Sequence, residues 1–387
     1  MKHKLIAALL AGVLTCNFIS MEQSQIIHAD DGETDLHCTY YTGTNIGRQN
    51  YDYIFGFNTA KTNASSLVPL SDGGWMRVQG EVSALDGALL AEYYNADFQL
   101  LERKIVPKQL PKYGGFYAAS DGCYYLITGQ DNIEESKTLP VLDIAKYTAD
   151  WELVGHDQLC GANTAKPFDG GCVRCADNGN YLVVHSSHEM FNGSTSQGHQ
   201  SSFLIESDME TATVSDNTCH YGGAGRGCVS HSFNQFVLMN GTHLVTLDHG
   251  DAYPRYVVLN EYSSDFTTGS FHVNYSSDCT AVDMFDYFPK DTHANFTGVT
   301  VGGFEQSSTH YLTALNTIDQ SKWEEYSKES QIAETNLYKH THNVVVSSVP
   351  KDNLDNEHVQ KFEITNLAEG EPTTHTPYLT PIDGDRF

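Results

Sequence analysis

The stretch Gly115-Phe-Tyr-Ala-Ala-Ser-Asp-Gly-Cys-Tyr-Tyr-Leu-Ile-Thr128 decides the fold. It reads as a strand over Phe116–Ser120, a tight Asp121-Gly122 turn and a second apolar strand. The same pattern returns at Gly171, with Cys172–Ala176 and Asn180-Tyr-Leu-Val-Val-His185. It returns again at Gly227, with Cys228–Phe236 and His243-Leu-Val-Thr-Leu-Asp248. A weaker copy is His310-Tyr-Leu-Thr-Ala-Leu315. The two glycine intervals are equal, and a second marker keeps nearly the same period. Tyr94-Asn-Ala-Asp97-Phe98 aligns with Tyr147-Thr-Ala-Asp150-Trp151 and Tyr262-Ser-Ser-Asp265-Phe266, and the unit between keeps Asp208-Met209. An Asp at this place makes a tight turn, and the following aromatic is expected to open the next strand.

Four short strands in each repeat of about 55 residues is the pattern of a β-propeller blade. The expected fold is all-β, a propeller of about six blades, or seven, with the last incomplete. The blades fall at 36–107, 115–160, 171–219, 227–280 and 299–368, with a partial one at 376–387. Pro377-Tyr-Leu-Thr-Pro-Ile382 supplies the first strand of that partial blade, and residues near Cys38–Tyr41 are an alternative closure. Residues 30–387 thus read as one domain. Composition agrees: Tyr 22, Phe 18 and Gly 32 favour strands and turns. The formal charge of −27 argues against a nucleic-acid partner.

Lys2 and Lys4 precede the apolar run Leu5–Leu14, which is too short to span a bilayer and has the layout of a secretory leader. Residues 1–29 are read as that leader, cut after Ala29, so the chain is expected to be secreted with no membrane span. Loss of Cys16 with the leader leaves eight cysteines, an even number that suits disulfides in an exported protein. Cys160 with Cys172 and Cys219 with Cys228 frame corresponding glycine-rich connections, and each pair is expected to close its loop. Cys123 with Cys175, and Cys38 with Cys279, are the remaining pairs. Cys172-x-x-Cys175 has no second such pair to complete a metal site.

Strands in a blade are lettered A, innermost, to D. In a meandering blade the A–B and C–D turns lie on one face, and the B–C and D–A connections on the other. The A–B turns are plain: Asp121-Gly122, Asn178-Gly179 and Asn240-Gly241. The segments assigned to B–C are chemically rich. They are Asn63–Arg77 with Trp75, Gly129–Ser136 with Gln130 and Asp131, His185–Phe191 with His188 and Glu189, and then His199-Gln200. Asp248-His249-Gly-Asp251-Ala-Tyr253-Pro-Arg255 follows, and then the insertion Asp319–His342. His231 enters this face from strand A of blade 4.

On this face Trp75 or Tyr253 is suited to stack a sugar ring, and Gln130, Asp131, His188 and Arg255 to take hydroxyls. Arg255, braced by Asp248 or Asp251, would anchor a ligand carboxylate. The first functional reading is therefore a module for a polar small molecule or glycan. The second is a polysaccharide hydrolase or lyase. The hydrolase would use carboxylates among Asp131, Glu189 and Asp251. The lyase would use a divalent metal held by His188, His231 and His249 with Gln200. His185 and His199 complete the set of candidate binding residues. The third reading is a scaffold or adhesin for another extracellular protein.

Several of these stretches also resemble a known group. GGWMRV (Gly73–Val78), GGFYA (Gly114–Ala118), GQDN (Gly129–Asn132), the Glu135-Ser136 pair and PFDGG (Pro167–Gly171) are among them. HSSHEM (His185–Met190), GHQ (Gly198–Gln200), SHSFNQF (Ser230–Phe236) and DHGDAYPR (Asp248–Arg255) complete the set. They are similar to a group of exported bacterial β-propeller proteins over about Trp75 to Tyr262. The resemblance implies a propeller and export, and carries over no catalytic residue.

Overall fold

The computed structural model describes residues 25–28, 63, 65–80, 87–192, 199–217, 229–253, 256–262, 279–286, 299–322, 325, 340–371, 377–382 and 385–387. Strand β1 (Gln25–His28) pairs with the outer edge of a first blade formed by β2 (Ser65–Pro69), β3 (Trp75–Gln79), β4 (Leu89–Tyr94) and β5 (Leu100–Val106). The second blade is β6 (Lys112–Ala118), β7 (Tyr124–Gly129), β8 (Pro140–Tyr147) and β9 (Leu153–Cys160). Strand β10 (Thr164–Pro167) lies in the connection to the third blade, which is β11 (Arg174–Asp177), β12 (Tyr181–Met190), β13 (Gln200–Asp208) and β14 (Val214–Asn217). The fourth is β15 (Ser230–Asn240), β16 (His243–Tyr253), β17 (Tyr256–Tyr262) and β18 (Cys279–Asp286). The fifth is β19 (Val299–Gln306), β20 (His310–Ile318), β21 (His342–Pro350) and β22 (Gln360–Glu363). Every pairing among them is antiparallel, and one bridge, Ser201 to Ser230, joins blades 3 and 4. The fold is a β-propeller of successive four-stranded meanders.

Blades hold together by burying their faces on one another. Met76, Val78 and Ala91 of blade 1 share a core with Tyr124, Leu126, Ala145 and Trp151 of blade 2. Ile127, Ile144, Leu182 and Phe203 form the next core, between blades 2 and 3. Glycine is required where strand meets strand. A Cβ on Gly115 would come within 2.8 Å of the Val173 side chain, which belongs to the adjacent blade.

Four expectations change. Blade 1 begins its first strand at Ser65, so Asn63–Arg77 holds strand A, the A–B turn and the start of strand B rather than a B–C loop. The aromatic of the Asp-aromatic marker lies inside the C–D turn: Phe98 and Trp151 take φ of 58° and 64°. That conformation aims Trp151 into the blade 1–blade 2 core, where it is 2% exposed and donates Nε1–H to Tyr93 Oη at 3.0 Å. The third copy of this marker, Asp265-Phe266, lies outside the described residues.

The third change concerns Pro377–Ile382, which forms no strand. Its contacts nevertheless repeat those of an inner strand. Asp177 accepts hydrogen bonds from Tyr117 Oη (2.9 Å), Ser120 N (3.1 Å) and Ser120 Oγ across the blade 2–blade 3 seam. Asp385 accepts from Ser308 N and Oγ, both at 2.6 Å, beyond blade 5. Leu379 covers Gly303 as Val173 covers Gly115.

The fourth change is in the cysteines. Cys160 is an exposed free thiol, while Cys172 is a buried one lying 3.5 Å from Asn234 Oδ1, so the Cys160–Cys172 closure is not made. Cys123, Cys175 and Cys279 are also free thiols, and Cys38, Cys219 and Cys228 lie outside the described residues.

The repeated carboxylate clasp is a stability element. Asp177→Ala is expected to lower unfolding free energy by about 1–3 kcal/mol, because four donors, Gly179 N–H included, lose their acceptor. Denaturant titration checks this, and no shift in the midpoint would show that the clasp contributes nothing.

Candidate functional site

β12 has ten residues and β16 eleven, so His185–Met190 and Asp248–Tyr253 continue strands rather than forming loops. The reason is pairing. Strand β10 runs along the far half of β12, with Pro167 opposite His188 and Lys166 opposite Glu189, and β15 runs the full length of β16. Polar side chains that look like loop residues are therefore presented from sheet.

Between blades 3 and 4 these strands build a closed network. His185 donates Nδ1–H to the Phe203 carbonyl at 2.9 Å, and its Nε2 lies 3.0 Å from Asp248 Oδ2. Asp248 Oδ1 accepts from Ser232 Oγ at 2.6 Å, and Gln235 Nε2 donates to Ser232 Oγ at 2.9 Å. Gln235 Oε1 in turn accepts Cys172 N–H. Serine, aspartate and histidine are all present, but the carboxylate sits between hydroxyl and imidazole, so the imidazole cannot take the hydroxyl proton. His185, Ser232 and Asp248 are buried, and the network is interblade cement.

The other expected residues separate. His188 is buried, with Nδ1 2.7 Å from Thr164 Oγ1 and its ring edge-on to Phe203. His249 is buried, and desolvation pushes its pKa down to about 4. His231, at φ 52°, stacks on His199 with centroids 6.0 Å apart. The three histidines expected to hold a metal thus take three different roles, and no group of three metal-ligating side chains occurs among the described residues. Trp75 stacks on Phe98 of the C–D turn, 5.5 Å apart, which puts it on the face opposite Gln130. Gln130 donates Nε2–H to the Pro140 carbonyl within its own loop. Asp251 and Tyr253 lie in β16 with side chains outside the description, and Arg255 lies outside the described residues.

What does come together is a mixed-charge shelf where blades 2 and 3 meet. Asp131, just past β7, accepts from Lys112 Nζ at 3.2 Å. Glu189, near the end of β12, is held by Lys166 Nζ of β10 at 2.5 Å. Asp169 follows β10, and its main-chain carbonyl is clamped by Ser187 Oγ at 2.7 Å and Gln200 Nε2 at 3.2 Å. Gln200 Nε2 also donates to the Ser232 carbonyl, while its Oε1 is shielded from solvent and accepts no hydrogen bond among the described residues. The Asp169 carboxyl is half-buried. Burial first, and then the charge of Glu189, raise its pKa above the ordinary aspartate range, opposed by Lys166 and Lys112. The exposed side chain of Ile133 adds an apolar surface in the same B–C loop.

Asp131, Glu189 and Gln200 were legible as site candidates. Asp169, Lys112 and Lys166 were not. Asp169 stood in PFDGG, within a connection read only as a glycine-rich loop. The signal available was position, since a D–A connection opens on the same face as the B–C loops.

No protein-family model and no curated protein matches the chain. Solved structures of remote similarity include the following three. A subtype N10 neuraminidase-like protein of A/little yellow-shouldered bat/Guatemala/060/2010 has 9% identity and a TM-score of 0.41, covering 78% of this chain and 80% of its own. The Dos1 propeller has 10% identity and a TM-score of 0.33, covering 68% of this chain, which spans 59% of that one. The GH43 BlXynB protein of Bacillus licheniformis has 10% identity and a TM-score of 0.28, covering 59% of this chain, which spans 37% of that one.

Two outcomes follow from these geometries. His185→Ala leaves the buried Asp248 without its ring partner and is expected to cost about 3–5 kcal/mol of stability, read by chemical unfolding. Asp169→Asn is expected to stabilise the fold at neutral pH, because the seam disfavours the ionised carboxylate. The sign follows from a raised carboxyl pKa: the native state binds the proton more tightly than the unfolded chain, so ionisation at higher pH costs stability. The advantage of the Asp169→Asn variant should therefore shrink as pH falls through the carboxylate range, and melting curves across that range check it. An unchanged difference at all pH values would show that Asp169 is not disfavoured.

Proposed function

We propose that this chain is an exported propeller that binds a polar ligand of the carbohydrate class on the shelf between blades 2 and 3. The observation that carries the reading is the grouping of Asp131, Asp169 and Glu189 with Lys112 and Lys166 on the face that collects B–C and D–A connections. Carboxylates accept paired hydrogen bonds from vicinal hydroxyls, and ammonium groups donate to ring and hydroxyl oxygens. Ile133 beside them offers an apolar edge to a pyranose face. Asp131 and Glu189 are already oriented by their ion pairs with Lys112 and Lys166, so little order has to be gained on binding. Export is supported by the Lys2–Leu14 leader pattern. Strand β1 falls within that leader, and its removal leaves blade 1 with β2–β5, the same four-stranded topology as the other blades.

A glycan array followed by calorimetry on the best ligand tests the reading. Glu189→Gln and Asp131→Asn should each weaken binding at least about tenfold, corresponding to about 1.4 kcal/mol. Trp75→Ala, on the opposite face, should leave affinity unchanged. Equal loss with Trp75→Ala, or no glycan bound at all, would contradict the proposal.

A further inference from the structure

We propose that β22, the outer strand of blade 5, is a self-complementary edge through which two copies of this chain pair antiparallel into a dimer. The inference goes beyond the glycan reading and does not rest on it. All four residues of β22 are exposed. Phe362 is 48% exposed, and Ile364, just past the strand, is 60% exposed. On β21, Phe362 is opposite Val346, and Glu363 is opposite Val345, which enters the core shared with blade 4. Phe362 therefore lies on the face turned away from blade 4, with Lys361 and Glu363 on the other. There Lys361 Nζ sits 4.7 Å from the centre of the Phe285 ring of β18. The main chain has an open side as well. Ile364 donates its N–H to the Val344 carbonyl at 2.8 Å, in register with the β21–β22 ladder. Alternate residues of an antiparallel ladder turn their polar groups to the same partner, so Gln360 and Phe362 also face β21. The N–H and C=O groups of Lys361 and Glu363 point out of the edge. Such an edge, with large apolar side chains in solvent beside it, is a template for a further strand.

Charge pattern selects the occupant and the register. Two copies of β22 can pair only where outward-facing residues meet outward-facing residues, and two-fold symmetry then centres the pairing on one residue. Centred on Lys361 or on Glu363, the contact sets like charges opposite each other, which is destabilising. Centred on Phe362, it sets Lys361 of each chain opposite Glu363 of the other. Each of these opposite-charge pairs also exchanges both of its main-chain hydrogen bonds. Phe362 then meets its symmetry mate as a non-hydrogen-bonded pair, the kind with the closer side chains, and Gln360 faces Ile364. The apolar surface of Phe362 is covered by its own copy, and the open N–H and C=O groups gain partners. Two forces limit the strength of the contact. The strand is short, and the formal charge of −27 makes whole molecules repel, an effect that physiological salt screens. The expected dimer is therefore of the transient class, with Kd of about 1–100 μM.

Sedimentation velocity on the full-length protein in physiological salt, at concentrations from about 1 to about 300 μM, tests the pairing. The wild type should pass from monomer to dimer over this range. Glu363→Lys and Lys361→Glu each put like charges opposite across the two-fold axis, and each should weaken dimerisation at least about tenfold. Both positions are exposed, so the melting temperatures should stay close to that of the wild type. An equimolar mixture of the two variants should recover the dimer as a heterodimer, because the basic pair of one chain then faces the acidic pair of the other. The double variant Lys361→Glu/Glu363→Lys exchanges the charges within one chain and should dimerise like the wild type, which keeps the test decisive where a single variant fails to fold. A wild type that stays monomeric to the highest concentration would overturn the inference. So would single variants that dimerise as tightly as the wild type, a mixture of folded single variants that recovers nothing, or a double variant that stays monomeric.

Discussion

A four-stranded sheet has two faces to bury, and a blade can cover them only with the blades beside it. This constraint shapes the rest of the molecule. It selects glycine at Gly115 and Gly303, where Val173 and Leu379 close over the backbone. It sends the turn residue Trp151 sideways into the neighbouring blade. It also requires each D–A connection to cross a seam, and at the seam between blades 2 and 3 that crossing delivers Lys166 and Asp169 to the end of β12, where Glu189 waits.

The two polar seams solve opposite problems. Between blades 3 and 4, His185, Asp248, Ser232 and Gln235 satisfy one another away from solvent, and the chain gains a fixed blade-to-blade geometry. Between blades 2 and 3 the carboxylates are held at the surface, and burial and the neighbouring Glu189 charge push the Asp169 carboxyl above the ordinary aspartate range. A stability element closes its hydrogen bonds, whereas the Asp169 carboxyl accepts none among the described residues. Functional sites commonly carry such local costs, and the surrounding sheet supplies the rigidity that sustains them.

The repeat and the plain hairpin turns were readable from sequence because alternating apolar runs and Asp-Gly or Asn-Gly turns report local backbone physics directly. The polar strand ends were not. His185–Met190 and Asp248–Tyr253 look like loops because nothing local reveals that β10 and β15 will pair with them. Trp75 went to the wrong face for a related reason, since the first strand of blade 1 begins at Ser65 and the phase of the repeat slips there. The cysteines read as loop closures from an even count and matching spacing, yet Cys172 is buried against Asn234 while Cys160 stays at the surface. Asp169 was hidden by its surroundings, because a glycine-rich connection signals a turn and says nothing of the carboxyl within it.

The account stands on the coupling of Asp169 to Glu189 across the blade 2–blade 3 seam. The most direct measurement is a carbon-13 NMR titration of the Asp169 side-chain carboxyl in the wild type and in Glu189→Gln. Coupling predicts an apparent pKa above the ordinary aspartate range in the wild type that moves down when the Glu189 charge is removed, with the remainder due to burial. An Asp169 carboxyl that titrates in the ordinary range, or one that is indifferent to Glu189→Gln, would contradict it.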